Sequence, residues 1–293
     1  MRIAVLRGGP SNHYDASLRT GEEVLSVLRQ GPERYKPLDI FISRDGNWHV
    51  MGRVLEPHDA LRHVDLVWNA LHGEYGEDGK MNKLLTQMNI SHTGSERLGL
   101  ALATHKDLAR KAYIASGLLT PRYQVLGGHV TPEELVVIFR SYVHPVIVRP
   151  VSGKTGFGSK LVHNFEHLKD AVSEAFKHGA RVMVEELVRG KEATCSIVEN
   201  FRGRSHYILL PYPPVFKSET HKEIEQMAEL AHRSLGLRHY SSSHFVVTPK
   251  GKIYILETSA LPELSPDSHL SKSLQNIGAS HKEFVNHVIS LAV

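Results

Sequence analysis

Residues 64–71 form an apolar run that breaks directly into His72-Gly73-Glu74-Tyr75-Gly76-Glu77-Asp78-Gly79. Such a run reads as a buried strand. The glycines and acids that follow set backbone amides and carboxylates at the carboxyl edge of a sheet, where α/β proteins hold small charged ligands. Gly8-Gly9-Pro10-Ser11 repeats the pattern after the apolar stretch at residues 3–6. Between these loops, residues 16–30 read as an amphipathic helix with Leu18, Val24, Leu25 and Leu28 on one side. Residues 38–43 and 65–70 read as strands and 80–88 as a helix. This alternation predicts an open parallel sheet, forming a first domain over residues 1–95.

Composition narrows what the rest can be. A length of 293 residues supports two or three packed units, and 41% hydrophobic with 23% charged residues is ordinary for a globular protein. The net charge of +4 comes without a long basic run, which argues against a nucleic-acid partner. The single Cys195 excludes an intrachain disulfide and agrees with a reducing compartment. No apolar stretch approaches the roughly 20 residues needed to span a bilayer. Residues 3–6 are too short for a signal-peptide core, so a cytoplasmic location without membrane contact is expected.

Further along, residues 98–116 predict one helix stopped by Gly117 and Pro121. Strands are expected at 122–126, 146–150, 160–162 and 181–186, with helices at 132–142 and 165–178. These make a second, α+β unit over residues 96–186. A third, residues 187–293, holds strands at 192–199, 243–247 and 252–257 and helices at 219–235 and 281–291. In order, Gly8-Gly9-Pro10-Ser11, the 72–79 loop, the apolar run before Arg149, and Glu257 after Lys252-Ile253-Tyr254-Ile255-Leu256 resemble the D-alanine–D-alanine ligase family of the ATP-grasp superfamily. The resemblance runs nearly end to end. It implies an ATP-grasp fold preceded by an open parallel-sheet domain. It further implies an ATP-dependent carboxylate–amine ligase working through an acyl phosphate in peptidoglycan synthesis. ATP, Mg2+ or Mn2+, and a D-amino acid would be the small-molecule partners, and a homodimer the assembly.

The same resemblance distributes site residues. Lys106 and Arg149 fall where family lysines contact ATP phosphates; arginine keeps the charge and grips phosphate bidentately. Gly153, Thr155 and Gly156 belong to the segment 153–159, which fails the P-loop pattern because position 148 is Val148. That segment matches the glycine-rich phosphate loop of the ATP-grasp fold. Glu185, Glu186 and Val188 form the adenine hinge, with Glu185 and Glu192 as ribose carboxylates. Ser17, His72 and Thr155 are the catalytic candidates. For the substrate, the ammonium glutamate position holds His13, with Asp15 close enough to substitute; otherwise Asp15 caps the following helix. Ser268 and His269 align with the segment that takes the second substrate's carboxylate. The metal set is Glu257 with His244 and Ser259, where the family has aspartate and asparagine; imidazole is a poor magnesium ligand. The transition-state arginine falls at Ser242 and an oxyanion glycine at Glu263. Lys217 and Tyr212 are nominal lid residues.

Three readings follow. One is an active ligase, with altered substrate or metal use. Another is an amide ligase for a different amino acid or small carboxylate. The last is a nucleotide-binding protein that keeps the scaffold without turnover.

Overall fold

A computed structural model describes residues 1–128, 130–152 and 158–293. The first sheet contains β1 (Arg2–Gly8), β2 (Lys36–Ile42), β3 (Trp48–Val50), β4 (Arg53–Leu55), β5 (Leu66–Asn69) and β6 (Ser91–His92), in the order β4-β3-β2-β1-β5-β6. Strands β2, β1, β5 and β6 run parallel. Helices α1 (Tyr14–Arg29), α2 (Pro57–Ala60), α3 (Glu74–Glu77) and α4 (Lys80–Gln87) connect them. β1 is apolar throughout because both its faces are covered: Ile3 and Val5 enter one core, Ala4 and Leu6 another. The purely parallel sheet expected from the sequence needs one correction. β3 and β4 form an antiparallel hairpin on the β2 edge, signalled by Asp45-Gly46 and Met51-Gly52 in the adjoining turns.

Next come α5 (Arg97–Thr104) and α6 (Lys106–Ala115). The single helix expected here is interrupted at His105, whose backbone is extended (φ −91°, ψ 100°) and bridges Ser152. The Lys106 N–H donates to the Val151 carbonyl at 3.0 Å. A tertiary contact with the chain leaving a neighbouring strand has overridden local helix propensity, and it puts Lys106 at the first turn of α6.

The second sheet is antiparallel, β7 (Tyr123–Gly127), β8 (Val146–Pro150), β9 (Lys160–Val162) and β10 (Arg181–Glu186), in the order β7-β10-β8-β9. It is covered by α7 (Pro132–Ser141), which opens on a Thr131/Glu134 capping box, and α8 (Phe165–Lys177). The third sheet, also antiparallel, has β11 (Lys191–Glu199), β12 (His206–Ile208), β13 (Tyr240–Val247) and β14 (Ile253–Ser259) in the order β12-β11-β13-β14, with α9 (Ser218–Ser234) against it.

Packing does not follow contiguous stretches of chain. Leu100, Ala109 and Tyr113 of α5 and α6 join Ile224, Ala228, Phe245 and Ile255 in the third unit's core. The closing helices, α10 (His269–Asn276) and α11 (His281–Leu291), return to the first unit. There Phe284, Val285 and Val288 bury against Val24, Leu25 and Leu28 of α1. Among the described residues no helix is long and apolar enough to cross a membrane.

Candidate active site

These returns bring the three sheets around one cavity of about 1110 Å³. Its walls come from the 72–79 loop, the ends of β8 and β10, the β10–β11 hinge, β13, β14 and the start of α10. Strand residues of the second and third sheets make up the largest share of the lining, and loops at the strand ends supply much of the rest.

One end is cationic and buried. Lys106, Arg110 and Arg149 are 7%, 1% and 6% exposed. Glu185 on β10 ties two of them together: Oε1 accepts from Arg149 Nη2 at 2.6 Å and Oε2 from Arg110 Nη2 at 2.8 Å. Arg110 Nη1 also donates to the Ile255 carbonyl at 2.7 Å. Burial lowers the Lys106 pKa to about 8, with the Arg149 charge adding to the effect and Glu257 and Glu185 opposing it. Three cations around two carboxylates leave an excess positive charge in a poorly hydrated place, which is what a polyphosphate needs.

The opposite end is built from imidazoles and hydroxyls. Thr194 Oγ1 lies 2.9 Å from both His244 Nδ1 and His269 Nδ1. A hydroxyl has one proton, so at least one ring must supply its own Nδ1–H for both contacts to be hydrogen bonds. That ring keeps Nε2 as a lone-pair donor. Burial and the nearby His244 lower the His269 pKa, opposed by Glu192. Glu257 lies across from His244 on β14. Ser259 Oγ is buried without a protein partner among the described residues. Glu263 at the rim is held by Arg19 Nη2 at 2.9 Å, so its charge is countered from α1. Ser242 is buried and bonded to Ser196 Oγ at 2.6 Å.

The first unit contributes the third wall. Ser11 Oγ donates to the His72 carbonyl at 2.7 Å, and His72 Nε2 lies 2.8 Å from Thr20 Oγ1. His13 and Glu77 line the cavity beside Gly73, whose N–H donates to Glu77 Oε1 at 3.0 Å.

Against the sequence expectations, the cavity gathers His13, Lys106, Arg149, Glu185, Glu186, Val188, Glu192, His244, Glu257, Ser259, Ser268 and His269. Gly153, Thr155 and Gly156 lie outside the described residues. Ser17, a catalytic candidate, does not line the cavity. It is fully buried, and its Oγ accepts the Gly8 N–H at 2.8 Å. That bond secures a turn where Gly8 has φ +89° and any Cβ would strike the Ile42 carbonyl at 2.2 Å. Asp15 neither reaches the cavity nor caps α1: it sits in the first turn, 75% exposed, 3.6 Å from Arg44. Glu185 spends both oxygens on arginines, whereas Glu192 lines the cavity. Glu186 Oε1 takes the Arg122 N–H at 2.8 Å, so the hinge offers its backbone rather than this carboxylate. Ser268 Oγ caps α10 by accepting the Ser271 N–H at 3.2 Å. Exposed Lys217 lies outside the cavity lining, whereas Tyr212 lines it.

Sequence reasoning missed Arg110, Thr194 and Glu77. Glu77 stood in the 72–79 loop and was readable as a buried acid. Arg110 and Thr194 carry no local signal, since their partners lie 75 residues away, at Glu185 and His269.

A mixed sheet followed by two antiparallel sheets closing on a cation-lined cleft defines an ATP-grasp protein, and comparison with known proteins agrees. A family model described as the D-ala D-ala ligase C-terminus matches residues 115–209 and 205–290. A D-alanine–D-alanine ligase of Geobacter sulfurreducens is 30% identical over 310 residues, covering 98% of this chain and 93% of that protein. The D-alanine–D-alanine ligase of Aquifex aeolicus is 28% identical and is covered along 100% of its length, by 99% of this chain. The VanG D-Ala:D-Ser ligase of Enterococcus faecalis shares the fold at a TM-score of 0.88 and 22% identity, over 100% of this chain and 99% of that one. The Bacillus anthracis D-alanine–D-alanine ligase, solved with ATP, does so at 0.81 and 24%, over 100% and 96%. The chain belongs to the D-alanine–D-alanine ligase family.

Proposed function

We propose that the protein is an ATP-dependent ligase that joins D-alanine to a second amino acid, supplying a peptidoglycan precursor in the cytoplasm. The observation that carries this is the one cavity that Lys106, Arg149, His244 and Glu257 line together. The γ-phosphoryl group passes from ATP to the carboxylate of the first amino acid, leaving ADP. The amine of the second then attacks the acyl carbon, phosphate departs, and the amine proton is released. Such transfers depend mainly on positioning and charge neutralisation. Lys106 and Arg149 neutralise the phosphates, the hinge at Leu187 and Val188 receives the base, and Glu192 reaches the ribose. Glu77, rather than Asp15, offers the carboxylate for the first substrate's ammonium, beside His13 and His72. Ser268 and the start of α10 face the acceptor's carboxylate, with His269 setting the pocket's polarity.

Glu257 gives magnesium the one carboxylate it requires beside nucleotide phosphates. An imidazole and a hydroxyl, at His244 and Ser259, stand where the family has aspartate and asparagine, so the donor set would fit a divalent ion weakly and suit manganese better than a set of carboxylates would. The ion supplies charge neutralisation at the phosphates. A homodimer is part of this reading and is checked by sedimentation.

ADP release with ATP, Mg2+ or Mn2+, D-alanine and a panel of amino acids tests the activity. Release that requires an amino acid supports the ligase. ATP that raises the melting temperature without any amino-acid-dependent ADP release overturns it in favour of nucleotide binding alone. Ser242 and Glu263, standing where the family keeps an arginine and a glycine, favour that second reading.

A further inference from the structure

At the far end of the third sheet, Glu199, His206 and His232 present one donor atom each, all within 4.8 Å of one another. They come from the end of β11, the start of β12 and the last turn of α9. None lines the active-site cavity. Glu199 lies five steps along β11 from Thr194, about 16 Å at ~3.3 Å per residue. We propose that these three side chains form a second metal site, one that takes a divalent ion of the zinc class.

The donor chemistry is two imidazoles and one carboxylate, a combination that zinc accepts in a tetrahedron with water in the fourth place. Bonds of ~2.0–2.1 Å set neighbouring donors roughly 3.3 Å apart in that geometry. His232 Nε2 and Glu199 Oε1 already stand 3.4 Å apart, long for a hydrogen bond between them and right for two ligands of one ion. The surroundings orient the ligands as metal sites require. His232 is 1% exposed, and its Nδ1 lies 2.8 Å from Ser241 Oγ, which leaves Nε2 as the donor. Glu229 Oε1 holds the His206 ring through Nδ1 at 3.1 Å. Glu199 is steadied by its other oxygen, which accepts the His239 N–H at 2.6 Å. Imidazoles whose second nitrogen is fixed by a hydroxyl or carboxylate are preset in tautomer and direction. Glu199 and His206 are partly exposed, so the ion has an entry path. Magnesium and calcium, which demand oxygen ligands, do not suit this set. Bound there, the ion braces β11, β12 and α9 independently of the nucleotide.

The test uses the full-length protein without nucleotide, freed of metal by chelation and titrated with Zn2+ against a chromophoric chelator, then with Co2+ for its visible spectrum. One equivalent of Zn2+ is expected to bind, raise the melting temperature and give Co2+ the strong absorption of a tetrahedral site. Glu257→Gln, which alters only the active-site cavity, should leave all three results unchanged. Ser241→Ala should weaken Zn2+ binding about 10- to 100-fold. His206→Ala, at a partly exposed position, should weaken it further and remove the Co2+ bands. Glu199→Gln is the second ligand variant. Zn2+ binding that survives both ligand variants, that disappears in Glu257→Gln, or that is absent from the wild type overturns the proposal. Several weak equivalents without a tetrahedral Co2+ spectrum mean an adventitious ion only, and overturn it equally.

Discussion

The two ends of the cavity hold charge in opposite ways. At the cationic end, Arg110, Arg149 and Glu185 form a buried network in which removing one partner strands the others. At the opposite end, hydroxyl–imidazole contacts join Thr194 to His244 and His269, and Ser259 Oγ stands without a partner among the described residues. The contrast separates what the scaffold needs from what the chemistry tunes. Breaking a buried ion network costs folding as well as binding, whereas removing a neutral donor carries a smaller penalty.

The largest effect should follow from breaking the network at its centre. Glu185→Ala leaves two guanidinium groups uncompensated and should cost about 3–5 kcal/mol of stability in urea unfolding. A loss under about 1 kcal/mol would show that solvent reaches the arginines and that the two ends do not differ in this way.

Lys106 sharpens the comparison through pH. Its folded-state pKa, lowered from 10.5 to about 8, means that the unfolded chain holds this proton more tightly between those values. The nucleotide-free protein should therefore gain stability from this group as pH rises from 8 towards 10.5, on the order of 1–3 kcal/mol. Phosphate favours the charged ammonium, so ATP affinity should fall over the same window. Lys106→Met should flatten both slopes and erase most of the ATP-dependent stabilisation, which is about 2.7 kcal/mol at a hundredfold excess over Kd. Calorimetric titrations at pH 7, 8 and 9 check this, and parallel slopes in wild type and variant would exclude Lys106 as their source.

At the opposite end, His244→Asp adds a hard charged ligand beside Glu257. Magnesium affinity of the ATP complex should rise about tenfold, or 1.4 kcal/mol, with manganese gaining less. Equal metal preference in the two proteins would remove His244 from the metal shell. The smallest effects concern the first substrate. Glu77→Gln should raise KM for the first amino acid while ATP affinity holds. Asp15→Asn should change neither, because it touches only an exposed pair with Arg44, worth about 0–1 kcal/mol. A larger KM effect from Asp15 than from Glu77 would reverse this assignment.

Strands and helices were largely legible in the sequence because they follow from local periodicity and turn chemistry: residues 3–6, 65–70 and 146–150 fold where their apolar runs stand. So was the set of residues around the cavity, from Lys106 to His269, once the order of motifs was read together. The direction of individual side chains was not. Asp15 and Ser17 are two residues apart, yet one faces solvent and the other is sealed behind Gly8. Helix phase and the position of α1 against β1 decided that. The helix break at His105, the sharing of Glu185 between Arg110 and Arg149, and the return of α11 onto α1 all depend on groups distant in sequence. Local propensity is fixed by neighbours along the chain. A hydrogen bond or an ion pair is fixed by whichever group the fold brings within about 3 Å, and for this protein that partner often lies more than 70 residues away.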